Sequence, residues 1–259
     1  DPSIFVTKGH SEERRAALEL DITKEKDKLH PMKNRCYENH YPAGSTFKVM
    51  LACAALEEGV IKPHTSYGCS GVFRKASVGR PFNCWTYNRG GHGSVDVVEA
   101  LSRSCDVFFY NVGLKLGIDR IKDWCNKLGL GVKSGIDLPA EVEGLIPSRE
   151  WKEAQIRPKF PDAPWEWRWY PGNTVNLSIG QGEAATTPLQ NAIMMAAIVN
   201  GGHHVRPFIN KAIGPQVSDP FISEKTLKIV QAGMRKCVEK DPPAPTGTGN
   251  AAKVPGIIV

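Results

Sequence analysis

Ser45 and Lys48 stand three residues apart in YPAGSTFKVMLACAALEEGV, residues 41–60. On a helix, that spacing puts both side chains on one face. A serine hydroxyl is a poor nucleophile until a base takes its proton, and a lysine can be that base when burial disfavours its ammonium form. Val49-Met50-Leu51-Ala52 supplies an apolar setting. Backbone N–H groups at a helix start also stabilise developing negative charge. The competing reading is an N-cap followed by a surface lysine, and a chain of this length carries about one Ser-x-x-Lys by chance. Ser104-Cys105-Asp106 adds a hydroxyl and a carboxylate at the junction of two predicted helices, which is the equipment a serine acyl-enzyme needs to shuttle protons. Ser94-Val95-Asp96 has the same spacing, but Ser94 reads as a simple N-cap with Asp96 in the first turn. Ser104 is therefore the functional candidate and Ser94 the structural one.

A second cluster of chemistry lies between these segments. Cys69, Cys84, His92 and Cys105 offer three sulfurs and one imidazole, a set able to close a tetrahedral zinc site. Their spacing is long and is not a zinc-finger pattern. A Cys69–Cys84 disulfide is the rival in an oxidising compartment, and free thiols are the third option. The chain has seven cysteines, so at least one has no partner within it and a full disulfide framework is excluded. Cys36, Cys53, Cys125 and Cys237 read as ordinary packed or half-exposed thiols.

The elements that must hold these residues follow from periodicity and caps. Residues 46–58 predict a helix of small and apolar residues, with Gly59 as its C′ stop. Residues 60–93, rich in Gly, Pro, Ser and Cys, predict an irregular excursion with short strands. Further helices are expected over 11–20, 94–102, 107–116, 119–129 with Asp119 as its cap, and 223–238. Thr187-Pro188-Leu189-Gln190 reads as a capping box with proline at N1, opening a helix that ends at Asn200-Gly201-Gly202. Residues 130–185 read as loop-rich, 241–249 as a loop, and 254–259 as the start of a strand. Trp165, Trp167 and Trp169 alternate; aromatic packing over a long loop is favoured over a stacking groove. Gln181 could line a cleft or serve a turn. His64, His203 and His204 read as surface histidines.

Composition narrows the classes. At 41% hydrophobic and 23% charged the chain is ordinary for a globular protein. No stretch has the apolar length to span a bilayer, and the Asp1-Pro2-Ser3 start shows no signal peptide and reads as the middle of a domain. The net charge of +6 is scattered, without the signature of a nucleic-acid module, so no nucleic-acid partner is expected.

Tyr41-Pro42-Ala43-Gly44-Ser45-Thr46-Phe47-Lys48 resembles the active-site segment of class B penicillin-binding proteins. So do Gly91-His92-Gly93 and Ser104-Cys105-Asp106-Val107-Phe108-Phe109-Tyr110. Gly135-Ile136-Asp137-Leu138-Pro139, Ile179-Gly180-Gln181-Gly182 and Thr187-Pro188-Leu189-Gln190 continue the likeness in order. It covers nearly the whole chain, and the S-x-D and G-H-G segments resemble the elongation-type, penicillin-binding protein 2. The resemblance implies an α+β fold: the mostly helical lobe of the serine penicillin-binding transpeptidase fold. Most of the central antiparallel sheet is expected to be missing, with residues 1–259 forming one partial domain. It implies a peptidoglycan DD-transpeptidase that cross-links stem peptides through a serine acyl-enzyme and is acylated by β-lactams. By the same likeness Ser45 is the nucleophile, Lys48 its base, Ser104 the proton carrier and Asp106 the residue that orients them. Zinc is implied at Cys69, Cys84, His92 and Cys105, two of which stand where some relatives have carboxylates, making the site softer and more zinc-selective. The implied setting is the periplasmic side of the inner membrane, with a membrane-embedded glycan polymerase as partner. The family's K-[ST]-G motif is absent from its expected place after the 246–259 stretch. Lys133-Ser134-Gly135 has the letters but comes too early. The expectation is therefore that this piece alone reacts poorly with penicillin. A β-lactamase or DD-carboxypeptidase, and a non-catalytic β-lactam sensor, are the alternatives.

Overall fold

The computed structural model describes residues 33–239 and 247–254. The helix expected over 11–20 lies outside the described residues, as does the strand start at 254–259 apart from Val254.

The fold is built around helix α1, Phe47–Glu57, in which every residue from Phe47 to Ala55 is buried. A helix that is apolar or small on all sides belongs in the middle of a packed core. Ala52, Cys53, Ala54 and Ala55 leave room for neighbours to approach from several directions. Gly59, with φ +64°, ends the helix as its position predicts. A short excursion follows, with strands β1 Tyr67–Cys69, β2 Val72–Phe73, β3 Phe82–Asn83 and β4 Gly93–Val95. β1 pairs antiparallel with β4, and β2 with β3. Then come helices α2 Val97–Ser102, α3 Asp106–Leu116 and α4 Ile118–Lys127. Helix α3 carries Val107, Phe108, Phe109 and Val112 into the core beside α1.

Two sequence expectations are corrected here, and a third is filled in. Ser94 is not a cap: it lies in β4 opposite Gly68. The backbone stays extended through Asp96, whose carboxylate accepts the Glu99 N–H at 3.0 Å and is the N-cap of α2. Asp119 sits in the first turn of α4, and the cap position falls to Gly117, whose φ of +81° turns the chain directly out of α3. The stretch 130–185 is loop-rich as expected, but it also holds three short helices, α5 Arg149–Ile156, α6 Pro164–Trp167 and α7 Pro171–Leu177. These helices start on local devices, a Ser148 cap on the Trp151 N–H at 3.1 Å and prolines at N1. They are too short for apolar periodicity to reveal them.

The capping box of α8, Pro188–Val199, forms as expected: the Gln190 N–H donates to Thr187 Oγ1 and the Thr187 N–H to Gln190 Oε1, both at 3.1 Å. Gln190 is fully buried because its amide nitrogen also donates to the Val132 and Glu143 carbonyls. That ties the 130–145 segment to the helix. A hairpin, β5 His203–Arg206 with β6 Gln216–Pro220, and helix α9 Glu224–Val238 complete the order. Helix α9 packs on α1 and α2. The architecture is α+β and largely helical, and the sheets among the described residues are all two-stranded.

Candidate active site

Gly44–Thr46 forms one 3-10 turn that runs into α1, so Ser45 is exposed at the mouth of the helix and Lys48 is buried one turn inside. The turn is held from the opposite side of the cleft. The Gly44 N–H donates to the Gly180 carbonyl at 2.9 Å. Gly180 has φ +66°, and a Cβ there would collide with the Gly44 backbone and with Phe47, so only glycine allows this approach. Gln181, next to it, lines the cleft; both readings of this residue, cleft wall and turn device, describe the same place.

Lys48 points at Ser104-Cys105-Asp106. Its Nζ donates to the Ser104 carbonyl at 3.0 Å, to Ser104 Oγ at 2.9 Å and to Asp106 Oδ1 at 2.5 Å. Ser104 Oγ in turn donates to Ser45 Oγ at 3.1 Å. Ser104 therefore stands between nucleophile and lysine. The apolar run after Lys48 buries its stem, but the amine itself faces polar partners, which corrects the picture of an amine set among hydrocarbon. Burial pushes the Asp106 carboxyl above the ordinary carboxylate range, and Lys48 opposes that shift. Ser104 has φ +49°, a left-handed conformation that non-glycine residues adopt at a cost. It sits at the break between α2 and α3, and Asp106 is the first residue of α3.

Asp106 has a second partner that sequence reasoning missed. Its Oδ2 accepts the Trp85 backbone N–H at 3.0 Å, while the Trp85 indole donates to the Arg103 carbonyl at 3.1 Å. Trp85 is half exposed and lines the cleft with Asn83, Tyr87 and Tyr110. The only sequence signal was its place beside Cys84. Ser45, Ser104 and Asp106 open on this cleft of about 660 Å³. Thr248 lines it as well, held by its N–H to the Ser102 carbonyl at 3.2 Å.

Cys69, Cys84, His92 and Cys105 are all buried, and their ligand atoms lie within 4.8 Å of one another. None of the seven cysteines is in a disulfide. His92 Nδ1 is 3.6 Å from Cys69 Sγ and 3.5 Å from Cys84 Sγ. Gly91, φ +81°, makes the close approach possible, since a Cβ there would strike the Cys69 carbonyl and the Gly71 nitrogen. The Cys84 and Cys105 thiols act on one another: each one's interaction with the other pushes Cys84 below the ordinary thiol value and Cys105 above it. Burial lowers His92, favouring the neutral ring that ligates metals.

The remaining candidates fall elsewhere. Ser134 and Gly135 wrap the Glu141 carboxylate through two N–H groups and the Ser134 hydroxyl, a structural turn away from the cleft. None of Trp165, Trp167 and Trp169 lines the cleft. Trp169 packs on the core with its indole on Thr174 Oγ1 at 2.9 Å, in line with the packing reading. His203 and His204 are half-buried rather than surface residues, the first bonded to the Ser218 carbonyl at 2.8 Å. Cys53 and Cys125 are fully buried, and burial pushes the Cys53 thiol up to about 12.

An exposed serine at a helix mouth, linked through a second hydroxyl to a buried lysine, defines a class: domains able to form and release a serine ester. The chain belongs to the penicillin-binding protein transpeptidase domain family, whose profile matches residues 8–259. It is 35% identical over 212 residues to the peptidoglycan D,D-transpeptidase MrdA of Acinetobacter baumannii, covering 82% of this chain and 29% of that relative's length. The Pseudomonas aeruginosa PBP2 crystal structure in complex with WCK 5153 superposes with a TM-score of 0.75 at 32% identity, over 97% of this chain and 54% of that one. A chain from a solved peptidoglycan synthase complex, described as coordinating polymerization and crosslinking, gives 0.70 at 33% identity, over 88% of this chain and 36% of that one. These likenesses put the chain with the elongation-type, class B members.

Proposed function

We propose that the protein is a peptidoglycan DD-transpeptidase of cell elongation, acylated at Ser45 by stem peptides and by β-lactams. One observation carries this: the unbroken hydrogen-bond path Ser45 Oγ–Ser104 Oγ–Lys48 Nζ, with steps of 3.1 and 2.9 Å. Ser45 attacks the carbonyl between the two terminal D-alanines. Its proton passes to Ser104 as the Ser104 proton moves to Lys48, and Asp106 accepts the proton that Lys48 must shed to be ready. The C–N bond breaks and the departing D-alanine amine takes a proton back through Ser104. A neutral amine of a neighbouring stem peptide then attacks the ester; the new C–N bond forms as the bond to Ser45 Oγ breaks, and the amine's proton returns to Ser45 through Ser104. The family membership and the MrdA relative support transfer to an amine over hydrolysis by a β-lactamase or carboxypeptidase. The intact relay speaks against a non-catalytic sensor. The synthase complex among the structural relatives supports a membrane-embedded glycan polymerase as partner, and such work belongs on the periplasmic side of the inner membrane. Among the described residues no helix is long and apolar enough to cross a membrane.

The same reading gives Cys69, Cys84, His92 and Cys105 to zinc. A tetrahedral zinc with ordinary bond lengths separates an imidazole nitrogen from a thiolate by about 3.6 Å, which fits the 3.5 and 3.6 Å found between His92 and two of the sulfurs. Bound zinc would supply a cross-link, not reaction chemistry. The residues it holds would be Cys105, between Ser104 and Asp106, and Cys84, next to the Trp85 N–H on Asp106.

Labelling with a fluorescent penicillin tests the assignment. The full-length protein is expected to gain one adduct at Ser45 by mass spectrometry, and Ser45→Ala none. Equal labelling of both proteins, or none of either, overturns it.

A further inference from the structure

We propose that a cationic hollow at the tip of the β2–β3 hairpin binds carboxylates of the peptide whose end lies at Ser45. Residues 59–95 contain Lys62, Arg74, Lys75, Arg80 and Arg89 and no aspartate or glutamate. Three of these cations, Arg74, Lys75 and Arg80, line one cavity of about 330 Å³, with Ala76, Gly79 and Pro81 as the rest of its wall. All three are exposed, and among the described residues none is in an ion pair. Positive groups gathered in a concave site without a counter-charge attract anions, and a guanidinium fork fits a carboxylate through two parallel hydrogen bonds.

The hollow is a shaped part of the fold. Its 3-10 turn, Ala76–Val78, packs against α7. The Arg80 guanidinium lies 4.8 Å from the Phe82 ring centre, and Phe82 is buried 5.8 Å from the ring of Tyr110. Tyr110 lines the cleft and donates its hydroxyl to the Asn83 carbonyl at 3.2 Å. Arg80 stands two residues before β3, and the cleft residue Asn83 ends that braced strand. Three residues of chain span no more than about 11 Å, the reach of roughly three residues of an extended peptide. A peptide held at Ser45 and lying along β3 delivers its side carboxylates to Arg80 and Arg74. The inference rests on the transpeptidase reading and adds to it a recognition site for acidic groups on the stem.

The test uses full-length Ser45→Ala protein, so that no ester forms. Calorimetry compares a synthetic stem pentapeptide with free side carboxylates and the same peptide with those carboxylates amidated. The expected result is that amidation weakens binding roughly tenfold, a loss typical of one charge-assisted contact. With Arg74→Gln and Arg80→Gln added, which remove the charges without reversing them, the two peptides should bind alike. Equal binding of the two peptides before those changes, or discrimination that survives them, overturns the proposal. So does binding to phosphatidylglycerol vesicles that depends on Arg74 and Arg80 while the peptides are not distinguished, which would give the hollow to lipid. Penicillin labelling of the unaltered protein separates the two levels. If Ser45 labels and amidation has no effect, only the hollow is refuted; if Ser45 does not label, the reading beneath it fails.

Discussion

Removing Asp106 while keeping Lys48 should cost far more than removing both. The pair is buried, with side-chain exposures of 2% for Lys48 and 12% for Asp106 and an Nζ–Oδ1 distance of 2.5 Å. An ammonium has three donors, and here they are spent on Ser104 O, Ser104 Oγ and Asp106 Oδ1. Asp106→Ala leaves one donor and a whole charge without a partner in a site that water barely reaches. Breaking a buried pair in this way costs about 3–5 kcal/mol, against about 0–1 kcal/mol for an exposed pair. At roughly 2–4 °C per kcal/mol for a domain of this size, the melting temperature falls by roughly 6–20 °C. Lys48→Met should cost a similar amount, because Asp106 then keeps only the Trp85 N–H at 3.0 Å. Lys48→Met combined with Asp106→Leu replaces the pair by hydrocarbon and should return to within about 2 kcal/mol of the parent. Urea unfolding of the parent, Lys48→Met, Asp106→Leu and the double variant closes the cycle, with Asp106→Ala measured beside them, and penicillin labelling should be lost in every variant. Two results would refute the reasoning: Asp106→Ala within about 1 kcal/mol of the parent, or a double variant as unstable as the sum of the singles.

Three further outcomes follow from the same geometry. Ser104→Ala should slow acylation of Ser45 by roughly 10²–10⁴; Ser104→Gly should be equally slow but about 1 kcal/mol more stable than Ser104→Ala, since glycine relieves the φ of +49°, and stopped-flow labelling with urea unfolding checks both. Chelation of the purified protein should lower its melting temperature and open Cys69, Cys84 and Cys105 to alkylation, with zinc restoring both; a metal-free protein destabilised by reductant would instead show a disulfide. Burial holds His204 below the ordinary imidazole value, so the unfolded chain takes up a proton near about pH 6.5 while the folded one resists. Stability should therefore be lost as pH falls from about 6.5 through the native value, and His204→Gln should flatten that part of the melting curve; an unchanged slope would rule the histidine out.

The site was more legible than its surroundings because its signals are local. Ser45 and Lys48 share one side of a helix start as their spacing suggested; their meeting with Ser104 and Asp106, and the gathering of the three cysteines with His92, were implied by the family resemblance and not by spacing. The long helices were readable too: α1 from its uninterrupted apolar run, α8 from a box of two reciprocal hydrogen bonds within four residues. What stayed hidden depends on backbone contacts between distant segments. No side-chain type announces that the Trp85 N–H reaches Asp106 or that Gly180 presses on Gly44. Ser94 was misplaced because serine suits a cap and a strand edge alike, and only the pairing of β4 with β1 decides that the chain is still extended there. The short helices of 149–177 begin on a serine cap or an N1 proline and end before one face can repeat.

The break between α2 and α3 explains why the two clusters share three consecutive residues. In a continuous helix, Ser104, Cys105 and Asp106 would point about 100° apart, and at most one could face Lys48. The left-handed turn at Ser104 stops α2 and directs both its carbonyl and its hydroxyl to the Lys48 amine. The extended Cys105 that follows, with φ −71° and ψ 106°, sends its sulfur to the opposite side, into the thiol cluster. Helix α3 then restarts, with Asp106 in its first turn aimed back at Lys48. A left-handed serine costs roughly 1–2 kcal/mol, and the flanking contacts hold it there. On one side three hydrogen bonds from a buried amine secure the break; on the other, a sulfur locked among Cys69, Cys84 and His92 does so. The thiol cluster is thus joined to Ser104 and Asp106 through backbone geometry, so under the proposed function its loss should register in folding stability and in the labelling rate at Ser45.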